Sequence, residues 1–433
     1  MKHPLQKMIE KRKQGQICGI PSCCTANELV LEAILRRAKV CNQTVLIEAT
    51  ANQVNQYGGY TGMKPADFVN FIQKIAHKVG IDESLIILGG DHLGPLTWVK
   101  EPAQSAMQKS EELVRDYVKA GFTKIHLDTS MKLADDAKEE MLETTVIAKR
   151  GALLYKACLE AYEERKKEYP EALRPVFIIG SEVPIPGGAQ EEEESIQVTS
   201  VKSFQETLSI YKQVFKEQGF SEELSDVIAI VVQPGVEFGD DQVFFYDREK
   251  AKELCNEREK FPNIVFEGHS TDYQTKECLK QMVEDGIAIL KVGPALTFVL
   301  REALYALSFI EQALFADKEQ AHFIETLEQV MLDNPQYWEN HYHGTDSEKA
   351  FARKYSFSDR CRYYMGESRV VEASHKLIQN LSTVEIPMTI IHQFMPKQYE
   401  HILDGEIQAK PEELLQDAIW DLLLQYEYAA NDN

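Results

Sequence analysis

A closed barrel of eight parallel strands, each followed by a helix, is the fold that this 433-residue sequence predicts, and three observations predict it. Short β-branched runs alternate with longer amphipathic segments, the pattern of parallel strands joined by crossover helices. Eight such runs occur, the number that closes a β/α barrel. Polar residues follow most of the runs, where such a barrel carries its functional groups.

The runs lie at residues 17–20, 44–47, 85–88, 124–127, 176–179, 227–232, 264–266 and 288–292. Between and after them come helix-period stretches at 27–40, 65–79, 103–120, 137–168, 201–217, 249–260, 275–284 and 296–314. Their apolar residues recur every three or four positions, so each stretch buries one stripe against the barrel. Pro65 suits a first helical turn, where its missing N–H costs nothing. These elements assign residues 1–315 to the barrel. Residues 316–433 hold no comparable β-rich run but show helical patterns at 319–332, 367–381 and 412–428, and are expected to form a helical extension packed on the barrel. His341, His343 and His392 in that extension lack metal-ligand spacing and read as structural or solvent-exposed. The four glutamates at 191–194 read as a solvated loop.

Composition excludes several classes of partner. Hydrophobic residues at 44% and charged residues at 27% give a globular body with a sizeable core. The excess of 69 acidic over 47 basic residues, a formal net charge of −22, repels nucleic-acid phosphates and anionic membrane surfaces. Neither is expected as a partner. An anionic substrate would need local donors at the mouth, such as backbone amides at glycines and helix N-termini. The eight cysteines show no paired-knuckle spacing and read as ordinary thiols. The first sixteen residues are polar and lysine-rich without an apolar signal core, and no run is long enough to span a bilayer, so a reducing cytoplasm is the expected setting.

The strand ends concentrate the chemistry. Strand two ends in Glu48, strand three in Asp91 and His92, strand four in Asp128, Thr129 and Ser130, and strand five in Ser181 and Glu182. Strand six ends in Gln233, Pro234 and Gly235, strand seven in Glu267 to Asp272, and strand eight in Lys291. Barrel closure would gather these groups around one mouth. His92, His269 and Glu182 then form a partial shell for zinc or a similar divalent ion, because imidazole nitrogens and a carboxylate suit such metals. Asp91, beside a ligand candidate, is the candidate general acid or base. Arg360 and Arg362 are candidate phosphate partners, since a guanidinium matches phosphate geometry.

Read in order, these segments resemble the tagatose-bisphosphate aldolase GatZ/KbaZ-like subunit family. The carrying motifs are IEATANQVNQYGGYTG at 47–62, GGDHLGP at 89–95, HLDTSM at 126–131, GSEVP at 180–184, QPGVEFG at 233–239, FEGHSTD at 266–272 and YSFSDRCRYY at 355–364. That family is similar to the class II, zinc-dependent aldolases that cleave ketose bisphosphates between the third and fourth carbons. The resemblance implies proton transfer at Asp91 and ligand positions at His92 and His269. It matches Glu182, followed by Gly187 and Gly188, to the acidic strand-five loop, which gives Glu182 a catalytic as well as a metal-binding candidacy. Gln233 stands where those aldolases carry a further histidine ligand, and an amide oxygen is a poorer zinc ligand than imidazole. Glu48, Asn52, Asp128, Ser130, Gly235, Ser270, Thr271 and Lys291 complete the candidate set for substrate and phosphate binding.

Two readings stay open on this sequence. One is a divalent-metal enzyme, with zinc or a manganese-like ion, acting on a ketose phosphate at its fourth carbon by retro-aldol cleavage or epimerisation. The other is a noncatalytic subunit that stabilises a separate class II aldolase chain. Both imply an oligomer, of this chain with itself or with the catalytic partner.

Overall fold

The computed structural model describes residues 2–137, 141–183, 196–220 and 224–431. Eight parallel strands close in chain order: β1 (Ile20–Cys24), β2 (Val45–Thr50), β3 (Ile86–Leu93), β4 (Lys124–Leu127), β5 (Val176–Ile179), β6 (Val227–Val232), β7 (Val265–Gly268) and β8 (Ile287–Val292). The ring is completed where β1 pairs with both β8 and β2. Strands of this kind are buried on both faces, which is why β6 reads as an unbroken apolar run, VIAIVV.

Helix α1 (Pro4–Lys13) precedes the first strand. The barrel helices are α2 (Glu28–Cys41), α3 (Pro65–Val79), α4 (Ala103–Ala120), α5 (Thr144–Glu168), α6 (Val201–Glu217), α7 (Arg248–Arg258), α8 (Lys276–Glu284) and α9 (Pro294–Leu314). Several begin or end where side-chain chemistry dictates. Asn27 caps α2 by accepting from the N–H groups of Leu29 and Val30, while Gly80 ends α3 in the left-handed conformation. A small hairpin, Glu237–Phe238 with Val243–Phe244, follows β6.

Several expectations shift. β1 starts at Ile20, where the predicted run 17–20 ends, because pairing with Ile289 to Val292 and with Leu46 to Glu48 draws in Pro21 to Cys24 whatever their local propensity. β3 runs past its apolar stretch through Asp91 to Leu93, held by the register of Glu48 opposite Gly89 and Thr50 opposite Asp91. Gly89 leaves room there for the neighbouring side chain: a Cβ would meet the Glu48 carboxylate at 2.5 Å. The polar N-terminus forms α1, whose Leu5 and Ile9, four residues apart on one helix face, plug the barrel floor. Of the expected helix at 137–168, residues 138–140 lie outside the described residues, as do the glutamate run 191–194 and Gly187 and Gly188.

Beyond α9 come α10 (Phe323–Asp333), α11 (Asp346–Tyr355), α12 (Ser368–Ser382), α13 (Met388–Phe394), α14 (Pro396–Leu403) and α15 (Pro411–Ala430), of which the sequence patterns had signalled α10, α12 and α15. The last helix returns to the barrel. The Trp420 indole donates to the Ala33 carbonyl at 2.8 Å, Arg37 pairs with Glu427 at 2.7 Å, and the Tyr426 hydroxyl donates to the Thr271 carbonyl at 2.9 Å. All eight cysteines are free thiols. Among the described residues no helix is long and apolar enough to cross a membrane.

Candidate metal centre at the barrel mouth

Side chains two residues apart on a strand share a face, so each strand that delivers an apolar residue to the barrel's lower interior delivers its next inward residue higher up. Leu46 is followed by Glu48, Ile87 by Gly89 and Asp91, Val265 by Glu267 and His269, and Ile289 by Lys291. β4 contributes Lys124, His126 and Asp128 in succession, all fully buried. The upper interior is therefore ionic.

His92, His126 and His269 form a triangle with ring centroids 4.9–5.2 Å apart and rings edge-on to one another. Together with Asp91 they offer four ligand atoms within 4.8 Å of one another, every residue buried. The second nitrogen of each ring bears on which atom faces the others. His92 Nδ1 lies 2.7 Å from Asp128 Oδ2, which leaves Nε2 for the cluster. His269 Nε2 lies 3.0 Å from Glu267 Oε1, which leaves Nδ1. His126 Nδ1 lies 2.8 Å from Asp91 Oδ1, and its Nε2 is buried with no hydrogen-bond partner. A buried, unpartnered imidazole nitrogen beside two others is the donor set a divalent ion needs, and carboxylates behind the rings orient them as outer ligands do in metal sites.

Beneath this triangle runs an alternating chain of charges. Asp91 Oδ2 meets Lys291 at 2.8 Å, Lys291 also pairs with Glu48, Glu48 meets Lys124 at 2.7 Å, and Lys124 meets Glu267 at 2.6 Å, which returns to His269. Counted as ordinary ionised groups, the carboxylates of Glu48, Asp91, Asp128 and Glu267 exceed the two lysines by two charges. A dication would balance that excess.

The proton affinities follow from this arrangement. Burial pushes the Asp91 carboxyl up, but Lys291, His92 and His126 outweigh it and hold it well below the usual range. Burial likewise opposes Asp128, yet its bond to His92 brings it down to about 2. His92 is disfavoured as a cation by burial and rescued by Asp91 and Asp128, so its value is raised. His269 goes the other way, to about 4, because burial outweighs its bond to Glu267. Both His92 (φ 48°) and Ser270 (φ 53°) hold left-handed backbone conformations that non-glycine residues rarely adopt, a local cost borne at the site itself.

A chamber of about 90 Å³ opens above the triangle. Of the residues expected at the site from sequence, Asn52, Asp91, His92, His269, Ser270, Lys291 and Arg362 border it. Glu48 lies below it in the charge chain, and Asp128 lies behind His92, steadied by the Ser130 hydroxyl at 2.6 Å. Thr271 is buried, with its hydroxyl donating to the Lys291 carbonyl at 2.6 Å. Two expected ligands are not brought into the cluster. Glu182 is exposed and accepts from the Ser203 hydroxyl, while the Gln233 amide oxygen is turned onto the N–H groups of Gly235 (2.9 Å) and Val236 (3.0 Å). Arg360 lies beside His341, 2.8 Å from its Nδ1, rather than on the chamber wall; His343 and His392 are exposed. His126 and Lys124 were not anticipated, although the period of two along KIHLD points both inward with Asp128; Glu267, expected at the end of strand seven, joins the charge chain rather than the chamber wall.

Fold and site define a β/α barrel with a candidate three-histidine metal centre at the C-terminal ends of its strands. The chain belongs to the family described as D-tagatose-1,6-bisphosphate aldolase subunit GatZ/KbaZ-like, whose profile matches residues 5–431. It is 46% identical over 424 residues to the D-tagatose-1,6-bisphosphate aldolase subunit GatZ of Escherichia coli O1:K1 / APEC, covering 98% of this chain and 99% of the relative. The corresponding subunit of Escherichia coli O6:K15:H31 (strain 536 / UPEC) matches to the same extent. A crystal structure described as "a probable tagatose 6 phosphate kinase from Sinorhizobium meliloti 1021" superposes with a TM-score of 0.86 at 42% identity, covering 95% of this chain and all of that one.

Proposed function

We propose that this chain is a divalent-metal protein of tagatose-phosphate metabolism that acts on a ketose phosphate at its fourth carbon, by retro-aldol cleavage or epimerisation. The observation that carries the reading is the buried triangle of His92, His126 and His269 beside Asp91, with His126 Nε2 unpartnered. The three imidazoles would hold the ion, zinc or a manganese-like metal, and Glu182 and Gln233 are not needed for it. A bound dication supplies Lewis acidity toward the substrate's oxygens. Asp91 is the proton-transfer group. In the resting geometry its oxygens are engaged by His126 and Lys291, so accepting a proton requires one of them to let go. Lys291 does so most readily, because it borders the chamber and retains Glu48 as its partner. Release from Lys291 raises the proton affinity of Asp91 at the moment substrate arrives.

The test is turnover of tagatose 6-phosphate and tagatose 1,6-bisphosphate by the pure protein with zinc, manganese or cobalt. Product formation that disappears on chelation and in Asp91→Asn supports the reading; metal-independent or absent turnover sinks it. A second reading, a noncatalytic subunit that stabilises a class II aldolase chain, is favoured by the chamber, whose volume of about 90 Å³ is below the roughly 300 Å³ at which small-molecule pockets begin. The word "subunit" in the relatives' names points the same way. No turnover by this chain alone, combined with faster turnover by an added catalytic chain, would establish it.

A further inference from the structure

Many arginines of this acidic chain pair with carboxylates: Arg37 meets Glu427, Arg150 Asp136, Arg174 Asp226, and Arg353 Glu328. Arg362 does not. Among the described residues no carboxylate lies within 4.0 Å of it. Its Nη1 donates to the carbonyls of Ser358 and Asp359, and its Nη2 to the Tyr363 hydroxyl at 3.1 Å. The adjacent carboxylate, Asp359, is turned away and locked to the buried Arg301 at 2.9 Å. Arg362 is thus a guanidinium whose direct bonds go to neutral acceptors, with Asp359 and Asp272 acting on it only through space. It borders both the chamber above the histidines and a second cavity of about 590 Å³ beneath the extension; Cys24, Gln53, Tyr60 and Tyr363 line the same two spaces.

Two sets of backbone N–H groups that could receive phosphate at this mouth are filled by the chain's own side chains. Helix α9 starts directly after β8, and the N–H groups of Gly293 and Ala295 at its N-terminus donate to Asp272 Oδ1 at 3.0 and 2.8 Å. After β6 the N–H groups of Gly235 and Val236 are taken by Gln233. The other cation on the chamber wall, Lys291, is matched by Asp91 and Glu48.

We propose that Arg362 is the anion-binding group of this mouth, taking a single phosphate at the junction of the chamber and the larger cavity, while Asp272 and Gln233 close the barrel's backbone sites to a second. Only the identification of that phosphate with the end of a sugar substrate rests on the function proposed above; the site does not. Arg362 belongs to the extension, so the extension supplies specificity to a chemical site built by the barrel. A ligand with one phosphate fits this arrangement and one with two does not, and the larger cavity gives the room that the chamber lacks.

Inorganic phosphate titrated into the full chain by calorimetry, with ionic strength held constant by chloride, tests this. One phosphate per chain is expected, with affinity reduced about tenfold or more in Arg362→Met, as for loss of a charge-assisted contact. Asp272→Ala is expected to admit a second phosphate. Should Arg362→Met fail to fold, labelling of the wild-type chain by phenylglyoxal gives an independent readout, and phosphate is expected to protect Arg362. Wild-type affinity in folded Arg362→Met, no binding at millimolar phosphate, or labelling of Arg362 that phosphate leaves unchanged would each overturn the proposal. Zinc binding, compared between wild type and His126→Ala, reports separately on the metal centre, so failure of one idea is distinguishable from failure of the other.

Discussion

At the floor of the barrel Val176, Ile178, Val265 and Ile289 form an apolar layer with Leu5 and Ile9 of α1. Two residues further along, β7 and β8 bring Glu267 and Lys291 into an interior equally dry, where Lys124 and Glu48 are fully buried as well. The floor gains stability from every group it buries, roughly 1.5–3 kcal/mol for a leucine or isoleucine. The mouth pays desolvation for every charge and recovers it only through pairing. Apolar residues of similar size would fill the same space at less cost, so the ionic layer is explained by what it holds above it: three oriented imidazoles and a carboxylate kept anionic.

That contrast makes the two layers respond differently to truncation. Lys124→Met leaves Glu48 and Glu267 buried without their shared cation, and is expected to cost about 3–5 kcal/mol, the largest single effect in the barrel. Chemical denaturation measures it. A neutral or stabilising outcome would mean that the mouth is an ordinary core in which the charges are incidental. Leu5→Ala at the floor is expected to cost about 2 kcal/mol, the low end for a buried leucine because a terminal helix can settle into the space, and to leave zinc affinity unchanged. Altered zinc binding in that variant would show the layers to be coupled. Asp128→Asn, isosteric and behind His92, is expected to lower zinc affinity about 10- to 100-fold with little change in the unfolding midpoint. An unchanged zinc titration would remove Asp128 from the orientation of the site.

Much of this was legible in the sequence, and the misses share a cause. The eight strands and their helices follow from alternation of period, and Asp91, His92 and His269 stand where apolar runs stop. His126 was hidden because KIHL is itself the run: a residue inside a strand declares its face only through the period of two, and its role only when the partner strands are known. Gln233 drew attention as the replacement for a histidine on strand six, yet the third imidazole comes from β4, across a ring that only barrel closure assembles. Glu182 looked like a ligand by its place after β5, but its side chain is bonded to Ser203 at the start of α6. Asp272 sits in a conspicuous motif, and its effect on anion binding depends on the N–H groups of Gly293 and Ala295, twenty or more residues away.

Acid separates floor from mouth by the smallest of these effects, since it loosens one ten-residue helix. His3 caps α1: its Nδ1 accepts from the Leu5 N–H at 3.2 Å, and its Nε2 lies 3.1 Å from the Thr123 hydroxyl. Burial lowers its pKa to about 4, so the folded chain keeps it neutral where the unfolded chain, with an ordinary value near 6.5, already binds a proton. The unfolded state thus takes up more protons between those values, and stability falls as pH drops from about 6.5 to about 4, then levels off. Asp128 has the same sign but a lower window, from its ordinary 3.8 down to about 2. The floor therefore yields before that carboxylate does. Protection of the amides in α1, corrected for the slower intrinsic exchange in acid, is expected to fall as pH drops from 6.5 to 4, and His3→Gln, which keeps a cap without titrating, is expected to flatten that dependence. If the variant responds to acid as the wild type does, the response belongs instead to His269 at the mouth, also lowered to about 4, and the two ends of the barrel are not independent in acid.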